Sequence, residues 1–385
     1  MGIVYIYHNI WLWSTFVFCL IIFMKYVNST RCTLLERQRI ASMGTIIYCI
    51  AFAFWIGFRP LDLSGWADTA NYRRSYHALK GEVIHNNPME ETDAQLVVDT
   101  DKEWLWGFFE KSYAYANVSD ELFFFTVACC YIGFIYLAIR RLMPSNQWIT
   151  LLFCISSFSF FSFSYNGLRN GVACSIILYA LSFFIQFDKK GLIIGLVLSF
   201  LAMGIHRSAA LPALCALVAY FTKMDFKWAF AFWIFSIILS LFSGSQIQSF
   251  FANIGFDDRL QSYAGKTVAE SEYAQLFSHT GFRWDFLLYS AMPIVLGYYI
   301  VYKKKIRDRA YDLLIVTYTL ANSFWIMVIQ STNSNRFAYL SWFMYPIVFA
   351  YPLLKVKIWK NQDRKTAQIL MLYVLFTVFL NVIYW

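Results

Sequence analysis

Residues 121–142 read ELFFFTVACCYIGFIYLAIRRL. Between Glu121 and Arg140 stand eighteen residues without a single Asp, Glu, Lys or Arg, and a pair of arginines closes the run. About 20 residues of helix cross the ~30 Å hydrocarbon layer of a bilayer, and Lys and Arg collect at cytoplasmic helix ends. The stretch therefore predicts a membrane-spanning helix whose Arg140 end faces the cytoplasm. Comparable apolar runs at 3–24, 41–58, 147–165, 168–187, 191–206, 208–221, 228–243, 285–302, 311–330, 337–354 and 366–384 bring the candidates to about twelve. The runs at 191–206 and 208–221 are short enough to form a re-entrant hairpin, which sets the range at ten to twelve. The expected fold class is all-α, a polytopic integral membrane helical bundle with one transmembrane domain over 1–385.

Composition agrees. The 385 residues are 59% hydrophobic, 21% aromatic and only 14% charged, with a mean hydropathy of +0.50. Soluble domains need about 25% charged residues to coat their surface. A net charge of +9 invites a nucleic-acid reading, but the basic residues are scattered between apolar runs and form no single basic face. Seven of the eight cysteines sit in apolar segments, Cys32 lies in a basic loop, and no CxxC or Cys/His ligand spacing occurs. They are expected to pack as small hydrophobes, and neither metal nor cofactor is expected. The start, MGIVYIYHNI, lacks a basic n-region and a small-residue cleavage site, so the first apolar run is expected to be a retained helix.

Taking alternate loops as cytoplasmic places twenty of the 32 Lys and Arg inside and twelve outside. The acids divide six inside to seventeen outside, leaving the inner face at +14 and the outer at −5. The opposite orientation would export Lys303, Lys304, Lys305, Arg307 and Arg309, so both termini are expected to face outward. Two larger loops then also face outward, 59–120 and 244–284. The first is acidic and carries Trp66, Trp104 and Trp106; the second carries Tyr263, Tyr273, His279 and Arg283. The cytoplasmic loops are short, with no GxxxxGK[ST] nucleotide loop, which argues against ATP-driven transport by this chain alone.

Charged groups beside apolar segments are costly and mark candidate sites. Arg169 lies in FSFSYNGLRNGVACS, His206 and Arg207 in GIHRSAALPAL, and Arg336 in QSTNSNRFAYLSWF, all at outward helix ends. Tyr165, four residues before Arg169, would share its face in a continuous helical turn. Each has a plainer reading as well: a snorkelling anchor for Arg169, a backbone-satisfied ring for His206, a helix-start anchor for Arg336. Arginine forks bind phosphate bidentately, and an imidazole can move a proton near neutrality, so an anionic lipid headgroup is the expected ligand. Asp68 and Glu103 are candidate acids for sugar hydroxyls or proton transfer. The three tryptophans are candidates for stacking on sugars or anchoring at the interface.

These landmarks together resemble the EpsG-type polysaccharide polymerases, functional relatives of the Wzy O-antigen polymerases. The resemblance rests on D-x-x-x-Y at Asp68–Tyr72, the EWLWGFF run from Glu103, LRNGVA around Arg169, IHRSAAL around His206 and NRFAY around Arg336, spanning about 60–345. Where the family usually reads R-Q-G-x-A, this chain has Asn170; its H-x-S is met by His206 and Ser208. The resemblance implies a glycosyltransferase in a bacterial cytoplasmic membrane, joining undecaprenyl-diphosphate-linked oligosaccharide repeat units on the outer face. The growing glycan would pass to the non-reducing end of the next unit for O-antigen, capsule or exopolysaccharide, beside chain-length regulator and flippase proteins. His206, Arg169 and Asp68 would be catalytic, and Arg207, Arg336, Glu103, Tyr72, Arg283 and Tyr165 would bind substrate among the membrane lipids. Two rivals share the hydropathy. A lipid-linked glycan flippase would carry its charges near the bilayer midplane. A GT-C-type polyprenyl-phosphate-sugar transferase is similar in its outward acidic loop, but its acidic motif normally follows the first helix, whereas Asp68 follows the second. A membrane acyltransferase rests on the histidine alone.

Overall fold

A computed structural model of the chain describes residues 3–28, 34–61, 66, 68–81, 103–253, 282–330 and 334–384. All regular structure among them is helical, as the lengths of the apolar runs predict. Five helices are long and apolar enough to cross a membrane, over Ile3–Lys25, Asp120–Leu142, Trp284–Lys303, Asn335–Lys355 and Gln362–Ile383. Shorter apolar helices cover Ser42–Gly57, Leu168–Phe184, Arg207–Thr222 and Phe226–Phe242. The chain is a multi-pass helical membrane protein. Each of the twelve apolar runs falls on a helix or a helix pair, but several end before reaching spanning length.

The helices gather into two compact units. The first comprises Met1–Phe183, Leu192–Ala210 and Asp363–Leu380. It is built from α1 (Ile3–Asn28), α2 (Leu34–Gly57), α3 (Asp68–Leu79), α4 (Trp104–Tyr115), α5 (Asp120–Leu142), α6 (Gln147–Ile155), α7 (Phe158–Tyr165), α8 (Leu168–Phe184), most of α9 (Lys189–Ile205) and, late in the sequence, Gln362–Tyr384. The second comprises Phe184–Gly191, Leu211–Gln362 and Asn381–Trp385. It holds α10 (Ala210–Thr222), α11 (Phe226–Asn253), α12 (Trp284–Tyr298), α13 (Arg309–Met327), α14 (Asn335–Trp342) and α15 (Tyr345–Lys355); Gln362–Tyr384 is α16.

In the first unit α2 packs closely on α5. A Cβ at Gly57 would stand 2.7 Å from the Cα of Phe125, so only glycine lets the two backbones approach this far. The run 147–165, expected as one helix, is instead bent by 74° between α6 and α7. Hydroxyl groups explain why the break persists. Ser157 Oγ donates to the Cys154 carbonyl (2.8 Å), Thr377 Oγ1 of α16 to the Ser156 carbonyl (2.6 Å) and the Tyr131 hydroxyl of α5 to the Phe160 carbonyl (3.0 Å). Broken helix at membrane depth is tolerated where the freed carbonyls find such donors.

The second unit is held by buried polar contacts of the kind that join helices in lipid. Fully buried Asn322 of α13 accepts from the indole N–H of Trp233 on α11 (2.8 Å) and donates to Ser341 Oγ on α14 (3.1 Å). The Tyr318 hydroxyl donates to the Ser290 carbonyl of α12 (2.8 Å).

Candidate active site

α3 begins on Asp68, whose negative charge suits the first turn of a helix, and it carries Tyr72 and Tyr76 at four-residue spacing on its buried face. That first turn grips the chain ahead of α8. Asp68 Oδ2 accepts from the Gly167 N–H (3.1 Å), and Thr69 Oγ1 donates to the Tyr165 carbonyl (2.6 Å). Arg59, buried between the rings of Trp66 and Phe124, in turn donates to Thr69 Oγ1 (2.8 Å). Gly167 has φ +69°, a left-handed conformation that glycine adopts without a Cβ penalty. The Asn166–Gly167 step thus reverses the chain, and α8 starts with Arg169 in its first turn.

Arg169 meets two of the landmarks. Its Nε donates to the Tyr72 hydroxyl (3.2 Å), its guanidinium carbon lies 5.4 Å from the centre of the Tyr72 ring, and its Nη1 pairs with Glu103 Oε2. The second Glu103 oxygen, Oε1, lies 2.5 Å from His206 Nδ1 and accepts from the Arg207 backbone N–H (3.4 Å). One carboxylate therefore joins the starts of α4 and α8 to the end of α9. Small residues permit the approach. A Cβ at Gly204 would meet Trp104 at 2.7 Å and Leu105 Cβ at 3.0 Å, and one at Gly171 would meet the Phe163 carbonyl oxygen at 2.9 Å.

Glu103 and His206 are only 7% and 6% exposed. Burial by itself would raise the Glu103 carboxyl. The hydrogen bond and charge of His206, the charge of Arg169 and the Arg207 N–H outweigh it and hold the group at about 2. Glu103 is thus ionised at neutral pH. With Nδ1 on this carboxylate, Nε2 is the ring nitrogen that would exchange a proton with a substrate, and the carboxylate stabilises the imidazolium formed. A protonated His206 and Arg169 together carry one positive charge beyond Glu103, which favours an anion.

The geometry sorts the candidates. Glu103, Tyr72, Arg169 and His206 come together. Asp68 serves the backbone turn under Arg169. Arg207 contributes its backbone N–H, and its side chain is exposed. Tyr165 does not share a helical face with Arg169: α7 ends on Tyr165, Asn166 is extended (φ −124°, ψ 129°), and the Tyr165 ring packs on Trp66 and Phe161. Trp66 and Trp106 are 1% exposed, so they are core residues and cannot offer a face to a sugar; Trp104 is 44% exposed. Arg283 pairs with Asp285 (2.9 Å) and Arg336 opens α14, both in the second unit. Tyr263, Tyr273, His279 and Cys32 lie outside the described residues.

Sequence reasoning missed Thr69 and Arg59 as supports, and it offered Glu103 for sugar hydroxyls or proton transfer without its pairing to His206 and Arg169. The Asn-Gly step was the available signal for the turn.

Fold and site define a class, a multi-pass helical membrane protein with a carboxylate-centred Arg–His cluster at its helix ends. A family model places it further: residues 45–385 match that of the EpsG family, and the chain belongs to this family of Wzy-like polymerases. No curated protein and no solved structure matches the chain.

Proposed function

We propose that the protein is a polymerase that joins undecaprenyl-diphosphate-linked oligosaccharide repeat units on the outer face of a bacterial cytoplasmic membrane. The observation that carries the reading is the single Glu103 carboxylate shared by Arg169 and His206. Such a cluster supplies the two things this transfer needs, a cation for the departing diphosphate and a base for the attacking hydroxyl.

The donor's diphosphate lies against the Arg169 guanidinium, with Arg207 as a further cation for the same anion and Tyr72 lining the approach. A hydroxyl at the non-reducing end of the acceptor unit attacks the anomeric carbon of the donor glycan. The new glycosidic bond forms as the carbon–oxygen bond to the diphosphate breaks, and the hydroxyl proton passes to His206 Nε2. Glu103 keeps Nδ1–H in place and offsets the imidazolium charge, while Arg169 stabilises the charge that develops on the leaving diphosphate. Polyprenyl diphosphate departs and the lengthened chain remains on the acceptor's lipid. A chain-length regulator and a flippase are the expected partners.

The chemotype of a deletion strain tests this. Surface glycan capped at one repeat unit supports polymerisation. Complete absence of the glycan would instead indicate a flippase, and full-length glycan lacking one sugar a side-branch transferase. Complementation with Arg169→Ala or His206→Ala should leave the one-repeat phenotype unchanged while the protein is present in the membrane. A restored long-chain ladder would remove these residues from the mechanism.

A further inference from the structure

α4 holds a second acid that the transfer chemistry leaves unused. Glu110 follows Glu103 by seven residues, about two helical turns, on the stripe that buries Trp106, Gly107, Glu110 and Ala114. Glu110 is 0% exposed, and neither of its carboxyl oxygens has a hydrogen-bond partner. The indole N–H of Trp106, one turn earlier on the same stripe, is also buried and unpartnered. Around the carboxyl stand Ser75 of α3 and Trp106, neither in hydrogen-bonding geometry, and two cations, Arg169 of α8 and Lys111 in α4 itself. Arg169 feels Tyr72, Glu103 and Glu110 together.

A carboxylate buried without hydrogen bonds costs several kcal/mol, and such a group ordinarily takes up a proton. Burial is indeed the largest influence on the Glu110 carboxyl and pushes it up, against the weaker pull of Ser75, Arg169, Trp106 and Lys111. The two acids are therefore driven apart: Glu103, at the start of α4, is paired with a histidine and an arginine, whereas Glu110 is buried with no hydrogen bond to either carboxyl oxygen.

We propose, building on the polymerase reading, that Glu110 is a positioning residue kept as a neutral carboxylic acid behind the Glu103–Arg169 pair, so that Arg169 has one counter-charge and retains its attraction for the donor diphosphate. An ionised Glu110 would be a second anion acting on Arg169 and would compete with the diphosphate. Because the acid is neutral below its pKa and charged above it, donor binding weakens on the alkaline side. The expected signature is a donor KM that rises over the pH range in which Glu110 ionises and levels off above it, with kcat little changed.

The experiment uses the full-length protein in liposomes and the isosteric variant Glu110→Gln, which cannot ionise. The substrate is the lipid-linked repeat unit accumulated by the deletion strain. Followed with rising pH, an infrared difference spectrum of wild type against Glu110→Gln should show the carbonyl band of a protonated carboxylic acid persisting above the ordinary glutamate range. Elongation by Glu110→Gln should persist at neutral pH, and its donor KM should stay flat where that of wild type climbs. A missing infrared band, or a variant whose donor KM climbs with pH as the wild type does, would overturn the proposal. The infrared result stands whatever the reaction is. Failure of the polymerase reading would show separately, as wild-type protein that does not elongate the unit.

Discussion

Glu103 accepts from three groups at once, and each loses something different when the carboxylate is removed. Glu103→Gln should cut elongation by roughly 10²-fold or more, the usual scale for lost acid–base assistance, because the amide neither fixes the His206 tautomer nor balances its charge. The same group sets an acid limit on stability. Its folded pKa of about 2 lies below the ordinary glutamate value near ~4.3, so its stabilisation is complete above about pH 4.3 and is lost as pH falls toward 2. Thermal unfolding of the purified protein followed from pH 5 to about 2 should therefore decline more steeply for wild type than for Glu103→Gln; parallel curves would contradict the assignment. Arg169 and His206 were legible in the sequence because a charge beside apolar helix is costly and conspicuous. The role of Glu103 was not, since its partners lie 66 and 103 residues away and one acid in an acidic loop carries no local mark. Tyr165 was misplaced for a related reason: four-residue spacing implies a shared face only while the helix is continuous, and Gly167 interrupts it.

Among the helices, the start of α8 is the piece on which the site depends. Gly171 stands one turn beyond Gly167, against the backbone of α7, and an added methyl there would lie 2.9 Å from the Phe163 carbonyl oxygen and 3.0 Å from its Cβ. Gly171→Ala should destabilise the protein by about 1–3 kcal/mol, the cost of overpacking, and should lower elongation by shifting Arg169 from Glu103. Gly133→Ala is the contrasting case, because nothing lies within 4 Å of a Cβ built at Gly133 in α5; alanine's better helix propensity should leave stability equal or slightly higher. Unfolding temperatures and elongation by the two variants check both, and equal behaviour would mean that the α7–α8 contact does not position the site. Apolar run length located these helices, yet it could not find the 74° bend at Ser156–Ser157. Two serines scarcely lower the hydropathy of the run, and what sustains the bend is donors from Thr377 and Tyr131 elsewhere in the chain.

At the scale of the whole chain, composition alone was sufficient for the membrane class, because a sequence with 14% charged residues cannot coat a soluble protein of this size. Orientation rests on the division of basic residues between alternate loops. A reporter fused after Trp385 should be active only on the outer side of the membrane; activity in the cytoplasm would reverse the map and put the Glu103 cluster on the wrong face for lipid-linked glycan. The polymerase reading itself is tested most directly by reconstitution. Purified protein in liposomes, given the lipid-linked repeat unit from the deletion strain, should convert it to a ladder of longer glycans with release of polyprenyl diphosphate, and the Arg169→Ala and His206→Ala proteins should leave the unit unextended. Movement of the unit across the vesicle membrane without any elongation would contradict the account.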